Sequence, residues 1–265
     1  MQYDYEHPRS ALSITISVWN ALFLREANTR LSAGRIAWVW LLLEPLLHIT
    51  VLILLFTFIR MRTVSGMDTP SWLIIGITFN LVFQRTYKQV QNAVNANRGL
   101  FTYRQVKIAD TLFVRGFLEG FITLLIAVCL GLGASFFGLN LIPDEPLLAL
   151  VDYFGMWLMG VGYGLITSVT IELIPKVNIA LDFFGRFLYL TSGVIFPVAN
   201  IPEPYRSWIL INPLLHGTEG ARGYFSAYYH PVPGLELSYL YLCAIITFFF
   251  GLALHRRFEQ AMKTK

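Results

Sequence analysis

The sequence is short of the residues from which secreted scaffolds and soluble active sites are built. Only two cysteines occur in 265 residues, Cys129 and Cys243. Both sit inside apolar runs, where they read as buried thiols, and a disulfide framework or thiolate metal cluster is excluded. The five histidines, His7, His48, His216, His230 and His255, are dispersed, and no metal site follows from them. No glycine-rich loop ends in Lys-Ser or Lys-Thr, so the chain has no phosphate-cradling loop of its own. His-Glu-x-x-His, Gly-x-Ser-x-Gly and Cys-x-x-Cys are missing too. Charged residues are only 14% of the chain. The net charge is +4 and the pI about 9.1, yet the basic residues lie scattered at the ends of apolar segments. Without a basic patch interleaved with aromatics, no nucleic-acid partner is expected. The N-terminus, with Asp4, Glu6 and Arg9, has no short apolar core before a small-residue cleavage site, so no removable signal peptide is expected.

What is abundant is hydrocarbon. Hydrophobic residues make up 55% and the mean hydropathy is +0.57, well beyond a soluble domain. The spacing predicts an all-α membrane protein, one domain over residues 1–265, without internal repeats. An amphipathic helix over 9–31 places Leu12, Ile16, Trp19, Phe23 and Ala27 opposite Ser13, Ser17, Asn20 and Asn28, and should lie in the membrane interface. The run Ile14, Ile16, Val18 also fits a period of two. Six spans follow at 36–59, 72–87, 112–137, 147–174, 179–197 and 237–254. All but four of the 20 Lys and Arg residues fall on the face that holds both termini, the exceptions being Arg60, Arg62, Arg206 and Arg222. By the positive-inside rule both termini are cytoplasmic.

Between the fifth and sixth spans the chain is too apolar for a water-exposed loop and too broken for a span. Pro197, Pro202, Pro204 and Asn212-Pro213 interrupt it, with Tyr205, Trp208, Ile209, Ile211 and Leu214 between. Residues 198–222 are expected to form outer re-entrant helices at a protein interface or pathway mouth. Three spans also carry polar stripes, costly in hydrocarbon. Trp38, Trp40, Glu44 and His48 lie on the first; Gly76, Asn80, Gln84 and Lys88 on the second; Asp182, Arg186, Tyr189 and Gly193 on the fifth. Each stripe reads either as glue between helices, with Asp182 neutralising Arg186 four residues on, or as part of a translocation route. His216, Glu219 and Arg222 follow at i, i+3, i+6. They form either a structural ion pair at the outer surface or the acid/base group of a membrane-embedded glycolipid transferase. The longest cytoplasmic connection, about 88–111, contains a segment, 97–110, that breaks at Gly99 and presents Leu100, Phe101, Thr102, Tyr103 and Arg104, a docking knob or a solvated loop.

Several of these stretches together resemble the transmembrane subunit of type-2 ABC exporters, in particular the capsular-polysaccharide export permeases. Arg25-Glu26 through Arg30 and Gly34, followed by WVWLLLEPLL, is similar to the family's interfacial helix and Leu-x-Glu-Pro-Leu first span. GLFTYRQVKIAD resembles its coupling segment, with Arg104 where the pattern has proline. SGVIFPVANIP with NPLLHGTEGAR resembles its outer signature, which includes Pro197, Asn212, Pro213, His216, Glu219 and Arg222. The resemblance covers nearly the whole chain. It implies a homodimer in a bacterial inner membrane, working with a separate ABC ATPase that holds ATP and Mg. No cofactor is implied on this chain, and no catalytic residue. Coupling would fall on residues 99–104 with Arg25 and Glu26, and an outer gate on the signature. The implied cargo is a lipid-linked glycan; O-antigen or teichoic-acid type glycans, and small-molecule or lipid efflux, stay open as alternatives, as do periplasmic or outer-membrane export partners.

Overall fold

The structure, a computed structural model, describes residues 10–31, 35–59 and 62–263. Residue Gly34 and the side chains of Arg30 and Trp38 lie outside the described residues. Among those described, the regular structure is helical apart from one small ribbon. Helix α1 (Ala11–Leu31) precedes α2 (Arg35–Phe58); strands β1 (Thr63–Val64) and β2 (Met67–Asp68) pair antiparallel and lead into α3 (Thr69–Gln91). A short α4 (Ala93–Asn97) and a 3-10 turn (Arg98–Thr102) lead to α5 (Ile108–Ser135) and α6 (Pro146–Leu173). Then come α7 (Asn178–Leu190), α8 (Tyr205–Ile209), α9 (Pro213–Phe225) and α10 (Leu237–Lys263).

Among the described residues, four helices are long and apolar enough to cross a membrane: Val39–Phe58, Ile108–Ser135, Pro146–Leu173 and Leu237–Met262. These agree with four of the six predicted spans. The second predicted span is part of α3, which starts earlier than expected because Asp68 caps it, accepting from the Ser71 N–H at 3.0 Å ahead of Pro70. At 23 residues α3 is about 34 Å long, but it is the buried axis of the bundle. Trp72, Leu73, Val82, Phe83 and Val90 are all fully buried. Helix α6 reaches both α3 and α10 through a row of glycines. A Cβ at Gly164 would stand 2.9 Å from the Tyr87 carbonyl oxygen, and one at Gly162 2.7 Å from the Phe248 nitrogen. Small residues at that spacing let backbones approach where lipid supplies no hydrophobic drive.

The fifth predicted span is shorter than expected. The reading extends it to Pro197, whereas α7 ends at Leu190 after 13 residues, about 20 Å of helix. The physical cause is Thr191-Ser192-Gly193. The Thr191 hydroxyl donates back to the Phe187 carbonyl at 2.9 Å, the Ser192 hydroxyl to that of Tyr189 at 2.7 Å, and Gly193 takes φ of 70°. Side chains thus compete for the last carbonyls, and glycine accepts the left-handed turn.

Helix α1 also differs in its use of faces. Leu12 and Ile16 of the predicted apolar stripe are exposed, while Leu22 and Glu26 are buried. The side of α1 that packs on the protein is held by polar contacts: Trp19 Nε1 donates to Asp110 Oδ1 at 2.8 Å, and Arg115 meets Glu26 at 3.0 Å.

Candidate functional site

The three predicted polar stripes converge. Lys88 Nζ on α3 lies 3.3 Å from Asp182 Oδ1 on α7, and Gln84 donates to the Gly185 carbonyl at 3.5 Å. One turn on, Asn80 Nδ2 donates to the Ser192 hydroxyl at 3.0 Å. Helix α2 joins through His48 Nε2 and the Tyr189 hydroxyl, 3.0 Å apart, and through Glu44, 3.6 Å from Arg85 Nη1. The i, i+4 spacing of the stripes is what brings these groups onto facing lines. The expected neutralisation within α7 does not occur: Asp182 turns to Lys88, and no salt bridge joins it to Arg186 among the described residues. Arg186 and Trp40 are exposed.

The His216, Glu219 and Arg222 constellation is buried, not at the surface, and it is a clasp. Asn212 caps α9, accepting from the Leu214 N–H at 3.0 Å, while its amide donates to the Leu188 carbonyl and the Thr191 hydroxyl at 2.9 Å each. Pro213 occupies the first helical turn, where a missing N–H costs nothing. Arg222 Nη1 meets Glu219 Oε1 at 2.6 Å, Nε donates to the Trp72 carbonyl at 3.1 Å, and the guanidinium lies 3.8 Å from the Trp72 ring centre. A Cβ at Gly76 would stand 2.1 Å from Arg222 Nη2, so a larger residue there would push the guanidinium from its place. The Tyr229 hydroxyl donates to Glu219 Oε2. Burial, more than Glu219, pushes that phenol well above its ordinary range, so it remains the donor. His216 is spent on backbone: Nε2 contacts the Leu210 carbonyl at 2.7 Å and Nδ1 accepts from the Glu236 N–H at 2.9 Å. With both ring nitrogens engaged, no proton-transfer site is presented. Pro197 stands extended just before the 3-10 turn Val198–Asn200, and a hollow of about 480 Å³ opens between that turn and the end of α7.

At the other end of the bundle, the connection after α3 forms a turn as expected. A Cβ at Gly99 would meet nothing within 4 Å among the described residues, and Tyr103 and Arg104 are exposed. Phe101 instead turns toward its own chain, packing on the apolar cluster around Val94, Ile108 and Leu112. Arg25 of α1 donates to Asn97, and Arg98 Nη2 meets Glu172 of α6 at 2.6 Å. Between α1 and this turn lies a groove of about 470 Å³, lined by Val18, Leu22, Arg25, Leu100, Tyr103 and Val106.

The profile of the ABC-2 type transporter family matches residues 17–226. The chain belongs to that family. It is 33% identical to the polysialic acid transport protein KpsM of Escherichia coli over 97% of this chain and 99% of that one. It is 30% identical to the capsule polysaccharide export inner-membrane protein CtrC of Neisseria meningitidis, over 96% and 95% of the two chains. To BexB of Haemophilus influenzae, a capsule polysaccharide export inner-membrane protein, it is 28% identical over 85% and 86%.

Sequence reasoning missed the acidic partners that hold this ABC-2 subunit together. Glu119, fully buried on α5, takes Arg85 at 2.6 Å, so Arg85 bridges α5 and α2. Glu172 holds the start of the turn at Arg98, and Glu26, already singled out from the sequence, ties α1 to α5 through Arg115. Asp152 is fully buried on α6, and neither carboxyl oxygen has a hydrogen-bond partner among the described residues. It faces Gly217 and Gly220 of α9. The signal was present: each is an acidic residue in or beside an apolar run, where charge is costly.

Proposed function

We propose that the chain is the membrane subunit of an ATP-driven exporter that moves a capsule-type, lipid-linked polysaccharide across a bacterial inner membrane. Two copies form the route, and a separate ABC ATPase supplies ATP, Mg and the hydrolysis. The observation that carries the route is the polar surface shared by α2, α3 and α7. The Glu44 side chain is 63% exposed and that of Lys88 52%, and Arg186 is exposed beside them. A charge facing acyl chains costs about 3 kcal/mol or more. These groups therefore face water or another copy of the chain. Cationic Lys88 and Arg186 suit an acidic glycan, and Trp40 and Tyr189 offer faces for sugar rings. In this reading α2, α3, α5, α6, the α7 segment and α10 make up six spans with cytoplasmic termini. Residues 198–222 re-enter from outside, and the clasp at Glu219 and Arg222 holds the outer gate.

The ATPase would seat on the groove between α1 and the turn 98–104. Arg25, Glu26, Arg98 and Glu172 then carry its movement into α1, α5 and α6. The test is to purify the chain alone and with the ATPase encoded beside it, and to delete its gene in a capsulated host. Hydrolysis only by the pair, with polymer retained inside the deleted cells, is expected. Nucleotide turnover by the isolated chain, or undiminished surface polymer after deletion, overturns the proposal.

A further inference from the structure

A second site lies on the far side of α3 from the polar stripe. At 3.6 residues per turn, Ile74, Ile75, Thr78 and Phe79 point nearly opposite to Gly76, Asn80 and Gln84. They floor a cavity of about 420 Å³ whose walls are α5 and α6, with Gly131, Leu132 and Leu150 among its lining. The cavity follows α5 from Leu124 to Ser135, about 16 Å of helix. That is close to the thickness of one leaflet, half of a hydrocarbon layer of about 30 Å. A Cβ at Gly131 would meet nothing within 4 Å, so α5 leaves the space open.

The contents follow from chemistry. An ordered water needs two to four polar partners. The floor offers the Thr78 hydroxyl, buried and without a hydrogen-bond partner among the described residues, while the Tyr153 hydroxyl is already spent on the Gly120 carbonyl and Thr123. A void would forfeit the dispersion contacts of its whole lining. Both walls are helices apolar enough to span a membrane, so hydrocarbon chains surround the mouth. The second copy proposed above sits on the polar face and does not reach it. The rim adds a headgroup preference. Ser135, Asn140, Asp144 and Glu145 are exposed where α5 passes to α6, and no Lys or Arg occurs between Arg115 and Lys176.

We infer that this groove between α5 and α6 binds one acyl chain of a bilayer phospholipid whose headgroup carries an ammonium group, drawn from the leaflet on the side of the α5–α6 connection. The chain fills the apolar trough and the ammonium lies beside Asp144 and Glu145.

The test uses the complex of this chain with its ATPase in nanodiscs containing phosphatidylethanolamine or phosphatidylglycerol with a photoreactive diazirine midway along one acyl chain. After illumination, adducts on residues 124–135 and 149–153 should exceed those on the exposed α10 face around residues 245–250 at least fivefold. The phosphatidylethanolamine probe should label the groove at least threefold more than the phosphatidylglycerol probe. Gly131→Phe, which fills the trough, should reduce groove adducts to the α10 level. If that variant does not assemble, the comparison between helices in the unaltered chain still decides. Even labelling of all lipid-facing helices overturns the site, equal labelling by the two lipids overturns the headgroup preference, and an inter-copy crosslink through residues 124–135 shows a protein there instead.

Discussion

Replacing Lys88 by alanine should leave the fold almost unchanged and remove most export. Lys88 and Asp182 are 3.3 Å apart, with side chains 52% and 36% exposed. A pair this open and screened contributes at most about 1 kcal/mol, so its loss should cost no more than a few degrees of thermal stability. If Lys88 also meets an anionic glycan passing along the route, its removal withdraws a charge-assisted contact worth about 1.5–3 kcal/mol. Each 1.4 kcal/mol is about a factor of ten, so export should fall at least tenfold, more than the pair's stability can explain. The decisive variant exchanges the charges, Lys88→Asp with Asp182→Lys. It rebuilds the ion pair but reverses the sign of the charge at the position on α3. Thermal unfolding of the reconstituted complex and basal hydrolysis should recover while export per ATP stays low. Full export by the exchanged pair would refute the substrate role and make the contact a fastening of α3 to α7.

Glu219→Gln should destabilise the chain by about 3–5 kcal/mol, because it leaves the fully buried Arg222 without its counter-charge. Replacing both by apolar residues, Glu219→Leu with Arg222→Met, should recover much of that loss in a thermal-shift assay; no recovery would show that the ion pair is not the source. Tyr103→Ala should weaken ATPase binding by about 2 kcal/mol if the exposed ring is an anchor. Phe101→Ala should act mainly through local stability, since its ring packs inward; titration of the two variants with the ATPase separates these effects. Gly162→Val should disrupt the approach of α6 to α10, where a Cβ already stands 2.5 Å from the Thr247 hydroxyl, and should lower the yield of folded protein. Wild-type yield and melting temperature would show that the helices can part at little cost.

Length and polarity were enough for what a single helix states about itself. The apolar runs from Ile36, Leu112, Leu147 and Leu237 appear as helices long and apolar enough to cross a membrane, because hydrocarbon thickness sets a minimum length that any one segment must meet alone. The breaks at Asn212-Pro213 and at Gly99 were legible for the same reason, since turn chemistry acts over a few residues. Partners across the bundle were not legible. Spacing suggested that Asp182 faces Arg186, but Lys88, 94 positions away, reaches it first. The histidine, glutamate and arginine of α9 looked like a surface cluster until Trp72 and Tyr229 enclosed them. The end of α7 lay in between: Thr191, Ser192 and Gly193 carry the signal, yet an apolar run up to Pro197 masked it. The sequence by itself determined four segments long and apolar enough to cross a membrane, and which polar residues must be accounted for beside them. Only the tertiary structure decided which charge meets which, because pairing in a bundle depends on the crossings of α3, α5, α6 and α9, and those are set by packing among residues far apart in the chain.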